Sequence, residues 1–138
     1  MADSTDIIID YLADRAPFAD DAEKVLTICS DGATEGVLTA NSVSDIFYVL
    51  LKSAGIEKAI ESMRTLLDSL SVADIGKNDI LKAMDVGISD LEDALIAVCA
   101  KRINADYIVT RNSKDFTDSQ VPFIEPKELL GQFFPYVL

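Results

Sequence analysis

Histidine and tryptophan are absent from the 138-residue sequence, and cysteine occurs only twice. Without histidine the chain lacks the commonest general base and the usual zinc ligand. A metal site in this chain must therefore be built from oxygen atoms, which favours magnesium or manganese. Cys29 and Cys99 lie in apolar stretches typical of helices. We expect both to be buried, reduced thiols, and we expect a cytoplasmic location.

Basic residues are also scarce, because 12 Lys and Arg stand against 24 Asp and Glu, for a formal charge of −12. This charge argues against tight, nonspecific binding to phosphate. It agrees with a site made of clustered carboxylates, and it agrees equally with a plain acidic soluble protein. No apolar run approaches the roughly 20 residues of a membrane-spanning helix, and the first residues carry acids where a secretory signal carries bases. We therefore expect no membrane association.

The remaining composition predicts one folded α/β domain over residues 1–138, since 49% of the residues are hydrophobic. Short apolar stretches at 36–40, 71–75, 107–109 and 121–124 predict strands, and Pro122 predicts that the last of them lies at a sheet edge. Longer periodic stretches between them predict helices, among them one capped by Asn41 or Ser42 and one at 56–70. The predicted apolar face of the latter consists of Ile60, Met63, Leu67 and Leu70. The alternation predicts a short parallel sheet with helices on both faces.

One helix stands out, because its residues Ala94–Ala100 are all apolar and three acids, at positions 90, 92 and 93, precede them. A helix that is apolar on every side is usually buried on every side. The Asp93 side chain should then point toward the interior, where an unpaired carboxylate costs several kcal/mol. Capping is the alternative explanation, because Ser89 and Glu92 have the spacing of a capping box and Asp90 could cap through Asp93.

The pattern DLEDALIAVCA followed by ADYIVTRNSKDF resembles the second half of a PIN domain. This metal-dependent nuclease fold includes the toxin ribonucleases of VapC-type toxin–antitoxin pairs. From Thr5 onward, TDIIIDYL is similar to the start of the family's first helix, which makes residues 7–13 a helix. The family's leading aspartate then falls on Ser4. Asp3 or Asp6 would be left to supply that carboxylate.

The resemblance implies a metal site formed by Asp6, Asp45, Asp93 and Asp115. In this scheme Asp45, Asp93 and Asp115 are catalytic, because they hold Mg²⁺ or Mn²⁺ or the water bound to it. Asp45 corresponds to an acid that is more often glutamate in the family. For Asp45 the alternative is capping together with Ser42, and for Asp115 it is an Asx-turn.

RNA contacts follow from the same resemblance, and they fall on the loop after the fourth strand: Thr110, Arg111, Asn112 and Lys114. Lys101 and Arg102 are further candidates for contacts to the RNA backbone. The alternative for these two is that they neutralise the dipole at the end of their own helix.

The function implied by the resemblance is hydrolysis of RNA phosphodiester bonds by a metal-dependent ribonuclease of toxin or stand-alone type. Its expected partners are RNA, an antitoxin protein and a second copy of the chain. Two alternatives stay open. One is a PIN domain weakened by Ser4, which binds RNA or a protein without cutting. The other is an unrelated acidic α/β phosphohydrolase that acts on a small phosphate ester.

Overall fold

The computed structural model describes residues 2–3, 18–86, 90–111 and 119–137. The strands are β1 (Ala2–Asp3), β2 (Gly36–Thr39), β3 (Leu70–Ala73), β4 (Ile108–Val109) and β5 (Phe123–Ile124). The helices are α1 (Phe18–Ser30), α2 (Ala40–Ala54), α3 (Ile56–Ser69), α4 (Lys77–Asp85), α5 (Leu91–Arg102) and α6 (Pro126–Phe133), followed by a 3₁₀ turn at Pro135–Val137.

The strands form a parallel sheet in the order β3-β2-β1-β4-β5. Ala2 of β1 is level with Val37 of β2 and with Ile108 of β4, so the central strand lies between these two. The edge strand β5 follows Pro122, whose carbonyl accepts from the Ile108 N–H. The predicted parallel α/β fold is confirmed, and the proline lies beside an edge strand, as expected.

Helices cover both faces of the sheet. Successive residues of a strand point to opposite faces, and in β4 Ile108 packs with α5 whereas Val109 packs with α1 and α6. A further cluster joins α1 and β2 to α2 and α3, with Ile46 and Met63 among its buried members. None of the helices in the described ranges is both long and apolar enough to span a membrane.

Helix α5 is enclosed as its composition predicts, because six of its residues are buried: Ala94, Leu95, Ile96, Ala97, Cys99 and Ala100. The helix gives way to a turn in which Asn104 has a φ of 56°, a left-handed conformation that Asn tolerates better than most residues. Cys29 and Cys99 are both buried, and neither forms a disulfide, which confirms the prediction for the thiols.

Helix α3 differs from its predicted orientation. Met63 and Leu70 are buried as predicted, but Ile60 and Leu67 are 42% and 39% exposed, and Ala59 and Leu66 are buried in their place. The buried face is therefore turned by about one residue from the predicted one, because Ala59 and Leu66 pack with Met63 in the cluster that joins α3 to α1 and α2. Ile60 and Leu67 are left on the surface.

Candidate functional site

The carboxyl ends of β1, β2 and β4 meet at one edge of the sheet, where open parallel sheets bind their ligands. Strand β2 ends at Thr39 and β4 is followed by Thr110, and the side chains of both are almost fully buried. Asp3, the last residue of β1, pairs with Val109 of the neighbouring strand. The chain that continues from β1 toward Ser4 therefore starts at this edge.

A pair of buried hydroxyl groups connects β2 to α2. Thr39 Oγ1 and Ser42 Oγ lie 2.8 Å apart, and both residues are at most 3% exposed. Helix α2 begins at Ala40, directly after the strand, and its first residues make no side-chain cap. The predicted cap at Asn41 or Ser42 is therefore wrong. Sequence reasoning missed Thr39, although a Thr-x-x-Ser spacing at the junction of a strand and a helix was a usable signal.

Asp45 lies in the second turn of α2 rather than in its first, and it is exposed to solvent. The capping alternative for Asp45 is therefore wrong as well, since Ser42 is inside the helix and pairs with Thr39. Asp45 shares one side of the helix with Asn41, because residues four apart in a helix are neighbours. Both positions lie close to the carboxyl end of β2.

Asn41 holds an oxygen atom without a partner. Its Oδ1 is buried, and no donor in the described part of the chain reaches it. Leaving a buried acceptor unpaired costs about 1–3 kcal/mol. An unpaired buried oxygen at the edge of the sheet where ligands bind is characteristic of a site that a bound ligand completes.

The start of α5 is capped by Asp90. Its Oδ1 accepts from the backbone N–H of Glu92 at 2.8 Å and of Asp93 at 3.3 Å. Ser89 lies outside the described residues, and the N-cap of the helix is Asp90. Asp90 therefore caps the helix through the N–H groups of Glu92 and Asp93, as the capping alternative predicted for Asp90. Asp93 is partly buried in the first turn, and α5 leads directly into β4, so this turn lies toward the carboxyl edge of the sheet.

The predicted RNA-contacting loop is described only at its beginning. Thr110 is 1% exposed, and its N–H donates to the Ile124 carbonyl at 3.0 Å. Arg111 is partly buried. The other predicted positions lie outside the described residues: Ser4, Asp6, the helix at 7–13, Asn112, Lys114 and Asp115.

At the far end of α5, Arg102 has a structural role that the sequence did not indicate. Its Nε donates to Asp79 Oδ1 at 3.1 Å, and its guanidinium also donates to the Asp74 carbonyl. Asp79 Oδ2 in turn accepts from the Gly76 N–H at 2.9 Å. The Gly76 hydrogen bond and the Arg102 charge lower the pKa of the Asp79 carboxyl, against an opposing effect of burial. Sequence reasoning missed Asp79, because its partner is 23 residues away.

A cavity of about 610 Å³ lies beside this ion pair, between α4 and α5. Its lining mixes charges of both signs, with Lys82 and Lys101 near Asp79 and Asp85. Because it is lined by the second half of α5, it lies away from Asp93 in the first turn of that helix. It is a different surface from the edge described above.

The described part of the chain does not by itself assemble a metal site from acidic side chains. Among the residues that the structure describes, no three His, Cys, Asp or Glu side chains form a group that could hold a metal ion. Asp45 and Asp93 are described, whereas Asp6 and Asp115 are not. The predicted set of four therefore stays a prediction.

Residues 4–114 match the family model of the PIN domain, and the chain belongs to that family. Its fold is similar to that of a chain in the crystal structure of VapBC2 from Rickettsia felis bound to a DNA fragment from their promoter. The TM-score is 0.71 at 17% identity, over 90% of this chain and 96% of the other.

A chain in the 2.2 Å structure of VapBC-1 from nontypeable Haemophilus influenzae is also similar, with a TM-score of 0.65 and 22% identity over 92% of this chain and 97% of that one. At these identities the likeness concerns the fold, and it confirms the PIN-like architecture. No curated protein matches the chain.

Proposed function

We propose that this PIN domain is a metal-dependent ribonuclease that hydrolyses RNA phosphodiester bonds. The match of residues 4–114 to the PIN domain is the observation that carries the proposal. In this proposal Asp45 and Asp93, together with Asp6 and Asp115, bind Mg²⁺ or Mn²⁺. Arg111, Asn112 and Lys114 meet the RNA, whereas Thr110, which is buried, holds the start of their loop.

The donor atoms at the carboxyl edge suit a hard divalent cation. The chain has no histidine, and the thiols of Cys29 and Cys99 are buried in the core. What remains near the edge is oxygen from carboxylates, hydroxyls and the Asn41 amide, and such ligands favour magnesium and manganese. The buried, unpaired Oδ1 of Asn41 supports this fit, because it is an acceptor that no described donor satisfies.

A bound divalent cation lowers the pKa of a water molecule and stabilises the negative charge that develops on the attacked phosphate. The protein's part is to hold the carboxylates in position. Asp90 fixes the first turn of α5 and thereby the position of Asp93, whose charge is also favoured near the positive end of that helix. Thr39 and Ser42 fix the start of α2, one turn before Asp45. This scheme needs no amino-acid nucleophile.

The biological setting is part of the same proposal. Similarity to chains in VapBC structures supports a toxin-type protein with an antitoxin partner. We further propose a homodimer and a cytoplasmic location, the latter in agreement with two buried cysteines that form no disulfide.

A second candidate function is a PIN domain that binds RNA or a partner protein without cutting. The residue that favours it is Ser4, since a hydroxyl stands where the family's first aspartate is expected and contributes no charge to a cation site. This candidate predicts RNA binding that survives the loss of the metal.

Cleavage and binding of RNA, measured on the same samples, decide between the two functions. We expect cleavage by the wild type in Mn²⁺, none in EDTA, and none by Asp93→Asn. Glu92→Gln is the matched control, since it removes the neighbouring acid of the same helical turn and should leave cleavage unchanged. Binding without cleavage in Mn²⁺ would favour the second candidate, and equal cleavage by Asp93→Asn would contradict the proposed role of Asp93.

A further inference from the structure

Asn41 is polar, yet none of the roles usual for such a residue near a helix start accounts for its side chain. The start of α2 makes no side-chain cap, and Thr39 and Ser42 already pair with each other. The Oδ1 atom is enclosed and reached by no donor in the described ranges. A buried acceptor in this condition is stable only if the fold as a whole tolerates its cost or if a ligand satisfies it.

We propose that Asn41 is an oxygen ligand of the cation site, beside Asp45; this rests on the proposed function above. Asn41 and Asp45 lie one helical turn apart on the same side of α2, just past the carboxyl end of β2. Amide carbonyl oxygens bind hard divalent cations. A neutral oxygen also completes the coordination without adding to the repulsion between neighbouring carboxylates.

If Asn41 is a ligand, removing its side chain has effects on stability that the removal of a structural side chain does not have. A side chain that stabilises the fold lowers the melting temperature when it is removed. An unpaired buried oxygen does the opposite, because its removal relieves a desolvation cost in the metal-free protein. Removing Asn41 should therefore weaken metal binding while leaving the metal-free protein as stable as before or more stable.

Asn41→Ala, measured by titration calorimetry with Mn²⁺ and by thermal melts in EDTA, tests this directly. We expect Mn²⁺ affinity to fall about tenfold or more and the melting temperature in EDTA to be unchanged or raised. Asn78→Ala is the matched control, because Asn78 is also the second residue of its helix, α4, but is exposed. It should leave Mn²⁺ affinity unchanged.

Asn41→Asp tests the opposite change, because it keeps an oxygen ligand at this position and makes it negatively charged. A carboxylate there adds charge to the site, so Mn²⁺ should bind more tightly than to the wild type. In EDTA the new charge lies one turn from Asp45, and the repulsion between the two should lower the melting temperature.

The outcomes separate this inference from the proposed function. If both Asn41 variants bind Mn²⁺ like the wild type while Asp93→Asn does not bind it, Asn41 is not a ligand and the cation site stands. A lowered melting temperature of Asn41→Ala in EDTA would reveal a packing role and overturn the inference. If the wild type itself does not bind Mn²⁺, the proposed function and the inference are both wrong.

Discussion

Replacing Asp79 by alanine should loosen α4 from α5, and the size of the effect can be worked out from its contacts. Asp79 is 8% exposed and accepts two hydrogen bonds, at 2.9 Å from the Gly76 N–H and at 3.1 Å from Arg102 Nε. Hydrogen bonds to a charged group contribute roughly 1.5–3 kcal/mol each. Gly76 is exposed and the Arg102 side chain is 45% exposed, so water replaces part of what is lost. We expect a total loss of about 2–3 kcal/mol.

For a chain of this length that loss corresponds to a fall in melting temperature of roughly 6–15 °C. Circular dichroism melts of the wild type and Asp79→Ala measure it. Asp85→Ala is the control, because Asp85 ends the same helix and is exposed, and its removal should change stability by less than about 0.5 kcal/mol. Equal melting temperatures for the wild type and Asp79→Ala at pH 7 would refute the reasoning.

The same pair of proteins should also differ in their response to acid. The Gly76 hydrogen bond, together with the Arg102 charge, holds the pKa of Asp79 below its usual value of 3.8. A carboxyl whose pKa is lowered by folding stabilises the protein fully above its unfolded pKa, and that contribution is lost as the pH falls through the folded pKa. The gap in melting temperature between wild type and Asp79→Ala should therefore narrow only in strong acid. A gap that already narrows between pH 7 and pH 5 would contradict this assignment.

Two further predictions concern the capping residue and the N-terminal position of the family's first acid. Asp90→Ala should lower the free energy of unfolding by about 0.5–2 kcal/mol, because the N–H groups of Glu92 and Asp93 lose their acceptor. Thermal melts measure this loss of stability. A loss no larger than that of Asp93→Asn would be inconsistent with Asp90 as the cap. Ser4→Asp should tighten Mn²⁺ binding in titration calorimetry if position 4 belongs to the site. Weaker folding without tighter binding would instead indicate that Asp3 or Asp6 already supplies the carboxylate.

The parts of the fold that follow from local pattern were predictable. Seven consecutive apolar residues at 94–100 predict a helix enclosed on all sides, and the structure buries six residues of α5. Short apolar stretches alternating with helices predict a parallel sheet, since parallel strands need long crossover connections. Pro122 predicts an edge strand, because proline cannot donate to a neighbouring strand.

The orientation of α3 was not predictable, because its sequence offers two apolar faces. Ile60, Met63 and Leu67 recur at helical spacing, as do Ala59, Met63 and Leu66. Periodicity alone does not show which of these two faces of α3 is buried. The choice is made by packing against α1, α2 and β3, with which the second set shares a buried cluster.

At the proposed site, the sequence and the family resemblance predict Asp45 and Asp93 but not the residues that hold them in position. Thr39 and Ser42 are three residues apart, and only their burial distinguishes them from ordinary surface hydroxyls. Asn41 is distinguished only by an unpaired oxygen, which no sequence pattern reveals. Asp79 and Arg102 meet because α4 and α5 pack together, a contact that is set by the tertiary fold.

The proposed function requires that Asp93 belongs to a site for a divalent cation, and thermal melts in Mn²⁺ test this most directly. A cation that binds only the native state at a hundredfold excess over its Kd stabilises that state by about 2.7 kcal/mol. We predict that Mn²⁺ raises the melting temperature of the wild type and of Glu92→Gln, that EDTA reverses the rise, and that Asp93→Asn shows none. Identical melting curves for the wild type with Mn²⁺ and with EDTA would contradict the proposed cation site.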